Sequence, residues 1–333
     1  MYTLAVGLLA NIYLLALYAL ALLGLLVVFN YLYENLRSPL LILKELTLAV
    51  FRGDEYRSLV KRFGKWAVVT GSTDGIGKHY ALELAKRGFN VVLVARNLCK
   101  LEQTAAEITS VHNIEVKCIQ TDFSDKRGKV IYEELFAKLE GLEIGVLVNN
   151  VGMMSEYPEK VHSIPEEVLW NMVHVNVASV TMMCRKMIPI MLKQGKGAIV
   201  NVGSSTDTQP TANGAVYVAS KKYIRYLTNA LQLELSSTNL TIQLLSPFFV
   251  VTKMNNYSRT VMDGGFFFPN VEKYTAFAVN MLGKTPETTG YWKHGIQVAF
   301  VGLLPLRLRA IFTRMISTDI KNDYLQRQKK RQL

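Results

Sequence analysis

Trp66-Ala-Val-Val-Thr-Gly-Ser-Thr-Asp-Gly-Ile-Gly77 carries three signals in succession. The β-favouring run Trp66 to Thr70 enters a loop holding Gly71, Gly75 and Gly77, and a helical pattern opens at once over Lys78 to Arg87. A strand, a glycine turn and a helix N-terminus together make an anion site. Glycines let the backbone approach a pyrophosphate, and free N–H groups at the positive end of the helix dipole hold it. The spacing Gly-x-x-x-Gly-x-Gly differs from the commoner dinucleotide fingerprint Gly-x-Gly-x-x-Gly. Taken alone, the trio also fits a plain tight turn.

The rest of the chain weighs between these readings. Asn149-Asn150-Val151-Gly152 ends a buried-looking strand, Gly145 to Val148, and Asn201 to Ser205 ends another with Ser204 and Ser205 at its tip. Tyr217-Val-Ala-Ser-Lys221 opens a helical pattern, which sets Tyr217 and Lys221 on one face. Further strands are expected at Asn90 to Ala95, Val116 to Thr121 and Thr241 to Leu245, with helical patterns between them. That alternation argues an α/β domain with a parallel, doubly wound sheet. With Thr70 ahead of the glycines, Ser204 thirteen residues before Tyr217, and the pieces in this order, the chain resembles the short-chain dehydrogenase/reductase family. The resemblance implies a Rossmann-like fold, a nicotinamide cofactor and a catalytic set of Asn176, Ser204, Tyr217 and Lys221.

The chemistry explains these residue types. Reduction of a ketone leaves an oxygen that must receive a proton, and a phenol near pKa 10 donates best when drawn toward neutrality. Lys221, one turn along, supplies positive charge that favours phenolate. Ser204 would bond the substrate oxygen as charge develops there, with Ser205 as the alternative and register favouring Ser204. The resemblance gives Lys221 a further bond to the nicotinamide ribose, and gives Asn176, in His174-Val-Asn-Val-Ala-Ser179, a water in a proton relay to the lysine.

The cofactor form is also readable. Gly71, Ser72, Thr73, Asp74, Gly75, Ile76 and Gly77 form the expected phosphate loop. No acid follows the strand Asn90 to Ala95 to select NAD; Arg96 stands there instead, a planar, permanent cation suited to the 2′-phosphate of NADP. Lys78 would add to the positive field. By resemblance, Asp122 lies near the adenine amino group, and Asn149 and Gly152 belong to the cofactor loop. Pro247 matches the proline of a Pro-Gly turn beside the nicotinamide, here with Phe248 for glycine, and Thr252 matches the carboxamide-binding threonine. NADP(H) is the expected cofactor.

The 333 residues carry 38 Lys and Arg against 26 Asp and Glu, a net charge of +12. No basic, aromatic-lined groove points to nucleic acid, and the excess charge suits an anionic membrane surface. Cys99, Cys118 and Cys184 are scattered and odd in number, which fits a reducing compartment. Five histidines form no ligand cluster, so no metal is expected. Residues 1–33 carry no charged side chain, and Thr3 to Phe29 is long enough to cross a bilayer as a helix. A cleaved signal peptide is the rival, disfavoured by the missing basic n-region and the long apolar run. Arg37, Lys44, Arg52, Arg57, Lys61, Arg62 and Lys65 follow the span, so the positive-inside rule leaves the catalytic domain cytosolic. The sequons at Asn239 and Asn256 would then go unused.

The expected organisation is an N-terminal transmembrane helix (1–33), a basic membrane-proximal linker (34–64) with an interfacial helix at Leu40 to Phe51, a Rossmann-like domain (65–283), and a basic, partly apolar, membrane-associated tail (284–333). In the tail, Gly295 to Leu306 is too short to span and reads as an interfacial hairpin or amphipathic helix, or as a buried core helix. Lys329-Lys330-Arg331-Gln332-Leu333 loosely resembles a dilysine endoplasmic-reticulum retrieval signal.

Thr70 to Lys78, Leu147 to Gly152, Tyr157-Pro158, Gly197 to Asn201 and Pro247 to Lys253 narrow the resemblance to the membrane-bound 17β-hydroxysteroid dehydrogenase branch, over roughly Tyr56 to Tyr291. That branch includes type 3 and type 12 enzymes and very-long-chain 3-oxoacyl-CoA reductases. Thr288-Thr-Gly-Tyr-Trp292 resembles its hydroxysteroid dehydrogenase-like proteins, some of which lack the catalytic tyrosine and are described as inactive; Tyr217 is present here. The resemblance implies an NADPH-dependent reductase of a steroid 17-ketone or a long-chain 3-oxoacyl-CoA in the endoplasmic-reticulum membrane, with a mitochondrial membrane as the alternative. It also implies a homodimer, and a substrate lid over Asn256 to Pro269 that includes Phe266 to Phe268. A membrane-anchored NADP-binding pseudoenzyme and a lipid-surface scaffold are the other two classes.

Overall fold

Every residue of Trp66–Thr70, Asn90–Ala95 and Ile144–Asn149 is buried. Strands covered on both faces need helices on both sides, and the computed structural model, which describes residues 2–51 and 58–332, has them. The strands are β1 (Trp66–Thr70), β2 (Asn90–Ala95), β3 (Val116–Gln120), β4 (Ile144–Asn149), β5 (Gly197–Val202), β6 (Leu240–Leu245) and β7 (Glu287–Thr288). They pair in parallel in the order β3-β2-β1-β4-β5-β6-β7. β7 escaped the sequence reading because two residues carry no periodicity.

The helices of the first half are α1 (Tyr2–Phe51), α2 (Leu59–Phe63), α3 (Gly75–Lys86), α4 (Leu98–Val111), α5 (Lys129–Ala137) and α6 (Glu166–Val173). Those that follow are α7 (Ser179–Gln194), α8 (Ala215–Glu234), α9 (Arg259–Met262), α10 (Val271–Asn280), α11 (Trp292–Gly302) and α12 (Leu306–Gln332). Alternation along β1 divides the core. Ala67 and Val69 pack with Tyr80 and Leu84 of α3 and Tyr274 of α10, while Val68 packs on the other face with Met183 and Met187 of α7 and Ile224 of α8. This is the Rossmann-like, doubly wound α/β sheet.

Outside the sheet, α1 is apolar enough to span a membrane over Leu9–Tyr33. The helix does not stop there. Leu40 to Phe51, read from sequence as a separate interfacial helix, continues α1 without a break, giving a rod of roughly 75 Å at 1.5 Å per residue. Glu166–Gln194 is also long and apolar enough to span, but Met183, Met187 and Met191 in it belong to the core over the sheet. At the other end, α11 and α12 form an elbow bent by 118°. The Tyr31 hydroxyl on α1 donates to the Gly302 carbonyl at the end of α11, joining span and elbow. Met1, Arg52, Tyr56, Arg57 and Leu333, named above, lie outside the described residues.

Candidate active site

The strand order reverses between β1 and β4, which opens a crevice at the carboxyl ends of the strands. A cleft of about 930 Å³ lies there, lined by Gly71, Asp74, Gly75 and Ile76 of the first loop and by Arg96 at the end of β2. Gly71 has φ +65°, and a Cβ on it would come within 3.0 Å of the Val151 backbone. At Gly77 a Cβ would lie 2.3 Å from the Gly71 carbonyl oxygen and from Asn150 Nδ2. Only glycine lets α3 start so close beneath the turn. The N–H groups of its first turn beyond Gly75 therefore border the cleft. This cradle fits the pyrophosphate of a dinucleotide.

Asp74 caps α3, accepting from the Gly75 N–H at 2.8 Å, and its other oxygen meets Lys253 Nζ at 2.7 Å across the cleft. Burial works against the Asp74 charge, but Lys253 and the Gly75 N–H outweigh it and hold the carboxyl below its ordinary value. Ser72 is turned inward to the Val94 carbonyl, and Thr73 is half-buried beside it on the loop. Lys78 does not add to the field as expected, because Glu107 pairs with it at 2.6 Å.

Neither Asn149 nor Asp122 lines the main cleft. Asn149 is buried; its Nδ2 donates to Asn201 Oδ1 at 2.8 Å and its Oδ1 has no hydrogen-bond partner among the described residues. The next residue, Asn150, lines the cleft instead, its side chain donating to the Thr70 and Gly71 carbonyls at 2.9 and 3.2 Å. One step along a strand end reverses the side chain's direction. Asp122 lies off the main cleft in a smaller pocket that it shares with Arg96, accepting from the Ser124 N–H and hydroxyl at 2.9 and 2.7 Å. Gly152, Pro247 and Thr252 line the main cleft.

A second cavity of about 470 Å³ adjoins the first. Ser204 lines it, and Tyr217, Pro247 and Thr252 line both. Ser205 is excluded from it: its hydroxyl donates inward to the Ser246 carbonyl at 2.7 Å. Tyr217 sits in the first turn of α8 and Lys221 one turn on, with Lys221 Nζ 5.7 Å from the Tyr217 ring centre. Lys221 is buried, and its Nζ donates to the Val202 carbonyl at 3.0 Å.

Asn176 lies in a single π-helical turn, His174–Ala178, between α6 and α7, a distortion that recurs at functional sites. Its Oδ1 accepts from the Met153 N–H at 2.8 Å, while Nδ2 donates to the Met153 carbonyl at 2.8 Å and to Ser220 Oγ at 3.0 Å. The amide therefore clamps the Gly152-Met153 loop to α8. Gly152 separates Asn176 from Lys221: a Cβ there would be 3.4 Å from Lys221 Nζ and 3.6 Å from Asn176 Oδ1.

The electrostatics differ from the simple expectation for the phenol. Tyr217 keeps some access through the cavities, yet burial disfavours its anion and pushes it up to about 12, against the pull of the neighbouring Ser204 hydroxyl. Burial also brings the Lys221 ammonium down to about 8, with the Asp207 carboxylate acting the other way. For the phenol, desolvation outweighs the Ser204 hydrogen bond, and the Asp207 carboxylate adds to the rise. The side chain of Asp207 is fully buried, accepting from Arg225 Nε on α8 at 2.9 Å, and Arg225 also pairs with Glu287. This pair ties the Ser204 segment to the helix carrying Tyr217.

The residues least visible in the sequence are those of the roof. Tyr324, Arg327 and Gln328 of α12 line the first cleft, and Arg309, Phe312 and Ile316 of the same helix line the second cavity. Tyr324 donates to Glu156, Lys321 pairs with Glu159 at 2.6 Å, and Arg327 donates to the Tyr257 carbonyl. The tail is thus a wall of both cavities. His294 on α11, completely buried, accepts from the Phe248 N–H at 3.3 Å and meets the Phe249 carbonyl at 3.2 Å, supporting the turn where phenylalanine replaces the expected glycine. Of the expected lid, Asn256 lines the first cleft and Tyr257 both cavities, next to Met254 and Asn255. Phe266 and Phe267 are exposed rather than lining either.

Comparison with known proteins agrees with this geometry. Residues 65–263 match the family model for short chain dehydrogenase. Hydroxysteroid dehydrogenase-like protein 1 of Gallus gallus is 43% identical over 80% of both chains, and the Homo sapiens protein named inactive hydroxysteroid dehydrogenase-like protein 1 is 40% identical over the same shares. A very-long-chain 3-oxoacyl-CoA reductase of Caenorhabditis elegans is 43% identical over 77% of this chain and 81% of its own. Among solved structures, one from work on 7β-hydroxysteroid dehydrogenase stereoselectivity aligns with TM-score 0.68 and 25% identity over 77% of this chain and 99% of that one. A Sphingobium yanoikuyae short-chain dehydrogenase in complex with NADPH aligns with TM-score 0.61 and 26% identity over 67% and 87%. With the glycine cradle beneath its cleft and Tyr217 and Lys221 one turn apart on α8, this chain belongs to the short-chain dehydrogenase family.

Proposed function

We propose that this protein is a membrane-anchored, NADPH-dependent reductase of a lipophilic ketone, either a steroid 17-ketone or a long-chain 3-oxoacyl-CoA. The observation that carries the reading is Tyr217 standing where the polar cleft meets the apolar cavity, with Lys221 and Ser204 beside it. When bound, the nicotinamide supplies the hydride. The loop Gly71 to Gly77 and the first turn of α3 hold the pyrophosphate, and Arg96 takes the 2′-phosphate. Ser204 orients the ketone oxygen through its hydroxyl, and Tyr217 donates the proton to it. The raised phenol stays protonated at neutral pH, ready to donate. Lys221 sits close enough to share its charge with the phenol, and Asn176 keeps the loop beside it fixed.

The cavity's location supports an apolar substrate delivered from a membrane. Phe300, Leu303, Leu308, Ile311 and Met315 are exposed on the elbow of α11 and α12, and that elbow is bonded to α1 beside its membrane span. The basic residues after the span support a cytosolic domain, and the tail's lysines support the endoplasmic reticulum. Incubation of either ketone with NADPH in which both hydrogens at nicotinamide C4 are replaced by deuterium tests the reading. The label should appear on the new carbinol carbon whichever face is used; a product without it, or none from either ketone, would overturn the reading. A membrane-anchored NADP-binding scaffold is the second reading, favoured by the name of the inactive human relative, and tight NADPH binding without turnover of either ketone would support it.

A further inference from the structure

The apolar cavity has one charged side chain among its lining residues, Arg309. Arg309 lies in the first turn of α12, its backbone N–H bonded to the Pro305 carbonyl at the elbow. Its Nε is shut off from solvent and has no hydrogen-bond partner, and no carboxylate pairs with the guanidinium among the described residues. The other arginines nearby are accounted for. Arg307 and Arg314 are exposed, while Arg327 pairs with Asp323 and donates to the Tyr257 carbonyl.

The other polar groups on this face of α12 are already engaged. Thr313 donates to the Ala310 carbonyl, and Ser317 donates to the Arg314 carbonyl and accepts from Asn213. Arg309 as a residue is only partly buried, but its inaccessible Nε is a donor on a charged group left unpaired, a costly arrangement for a folded protein. A guanidinium that lines a cavity unpaired offers a planar fork matched to carboxylate, sulfate or phosphate.

We propose that Arg309 recognises an anionic group carried by the lipophilic ligand, so that this cavity selects ionised amphiphiles over neutral lipids of the same apolar body. This rests on the reading of the cavity as the ketone site and sharpens it. An acyl-CoA supplies such an anion through its phosphates, and a conjugated steroid through its sulfate. An unconjugated steroid supplies none.

The test is equilibrium binding by full-length protein in a neutral detergent, which needs no turnover. The probes are palmitoyl-CoA against S-palmitoyl-N-acetylcysteamine, and estrone sulfate against estrone. Wild type should prefer at least one charged probe over its neutral partner by about tenfold or more, the scale of a charge-assisted contact. Arg309→Gln should remove that preference while leaving the neutral partner within about twofold, and Arg309→Lys should restore part of it. Arg307→Gln, on the exposed face, should change nothing. Preference for palmitoyl-CoA alone would assign the anion to a phosphate, and preference for estrone sulfate alone to a sulfate. The proposal is overturned if Arg309→Gln weakens charged and neutral probes alike, if it alters neither, or if wild type binds neither charged probe better than its neutral partner. Arg309-dependent binding in a protein that reduces no ketone would preserve this inference and defeat the reductase reading; reduction of ketones without that dependence would do the reverse.

Discussion

The two cavities share Tyr217, Pro247 and Thr252 as a common wall, yet they are built from different material. The floor of the cofactor cleft is made by backbone. Its shape follows from glycines that allow β1, α3 and the loop after β4 to approach within contact distance. The apolar cavity is made by side chains from segments far apart in the chain, including Phe248, Val301 and Phe312. A site made by backbone announces itself in a short motif, because few residues permit the conformation. A site made by scattered side chains leaves no local pattern, and its composition can change while the chemistry at Tyr217 stays the same.

This contrast can be broken by substitution on either side. The largest expected effect is at the shared wall: Lys221→Met should lower kcat for either ketone by about 10²–10⁴, the range for a lost acid–base partner, as read from initial rates of NADPH oxidation. Next comes the cleft. Gly77→Ala puts a methyl group 2.3 Å from the Gly71 carbonyl oxygen, so NADPH affinity should fall by roughly tenfold or more and stability by about 1–3 kcal/mol. Titration calorimetry and thermal unfolding read these, and an unchanged Kd would mean the cradle is not the cofactor site.

Arg96→Gln should raise the KM for NADPH by about tenfold while leaving that for NADH nearly unchanged, as loss of a charge-assisted phosphate contact requires. The smallest effect lies in the roof. Tyr324→Ala removes the Glu156 contact and the 4.9 Å stacking on Tyr157, and should weaken NADPH binding by about threefold with kcat preserved, since two partners of α12 on the same side remain. A loss as large as that of Gly77→Ala would mean that the helix, rather than the glycine loop, closes the cleft.

The pH profile sharpens the shared wall further. kcat/KM for NADPH reports groups in the enzyme before ligands bind. Lys221, lowered to about 8, loses its charge as pH rises through that value, whereas Tyr217, raised to about 12, stays protonated. The profile should therefore fall above pH 8 with a single proton lost, and Lys221→Arg, permanently charged, should flatten that limb.

The same contrast explains what the sequence disclosed. β1, its loop and α3 were legible because β-branched residues, three glycines and a helical pattern agree locally. Tyr217 and Lys221 were legible because i and i+4 share a helix face. Asn149 and Asn150 are chemically identical in sequence, and only the register of β4 separates the one that faces Asn201 from the one that holds the Gly71 turn. The roof was invisible for another reason. Nothing in the tail's basic and apolar residues foretells that Tyr324 meets Glu156 across the cleft; that contact spans 168 positions. His294 and the Asp207–Arg225 pair were hidden in the same way, as buried polar residues whose partners come from distant segments.

The most direct measurement compares NADPH oxidation by the full-length protein and by Tyr217→Phe in detergent, with a long-chain 3-oxoacyl-CoA and estrone as parallel substrates and NADPH binding recorded for both proteins. The account expects turnover of at least one ketone by the wild type, lost by about 10²-fold or more in the variant, with NADPH affinity retained. Equal turnover in both proteins, or none in the wild type despite bound NADPH, would contradict it.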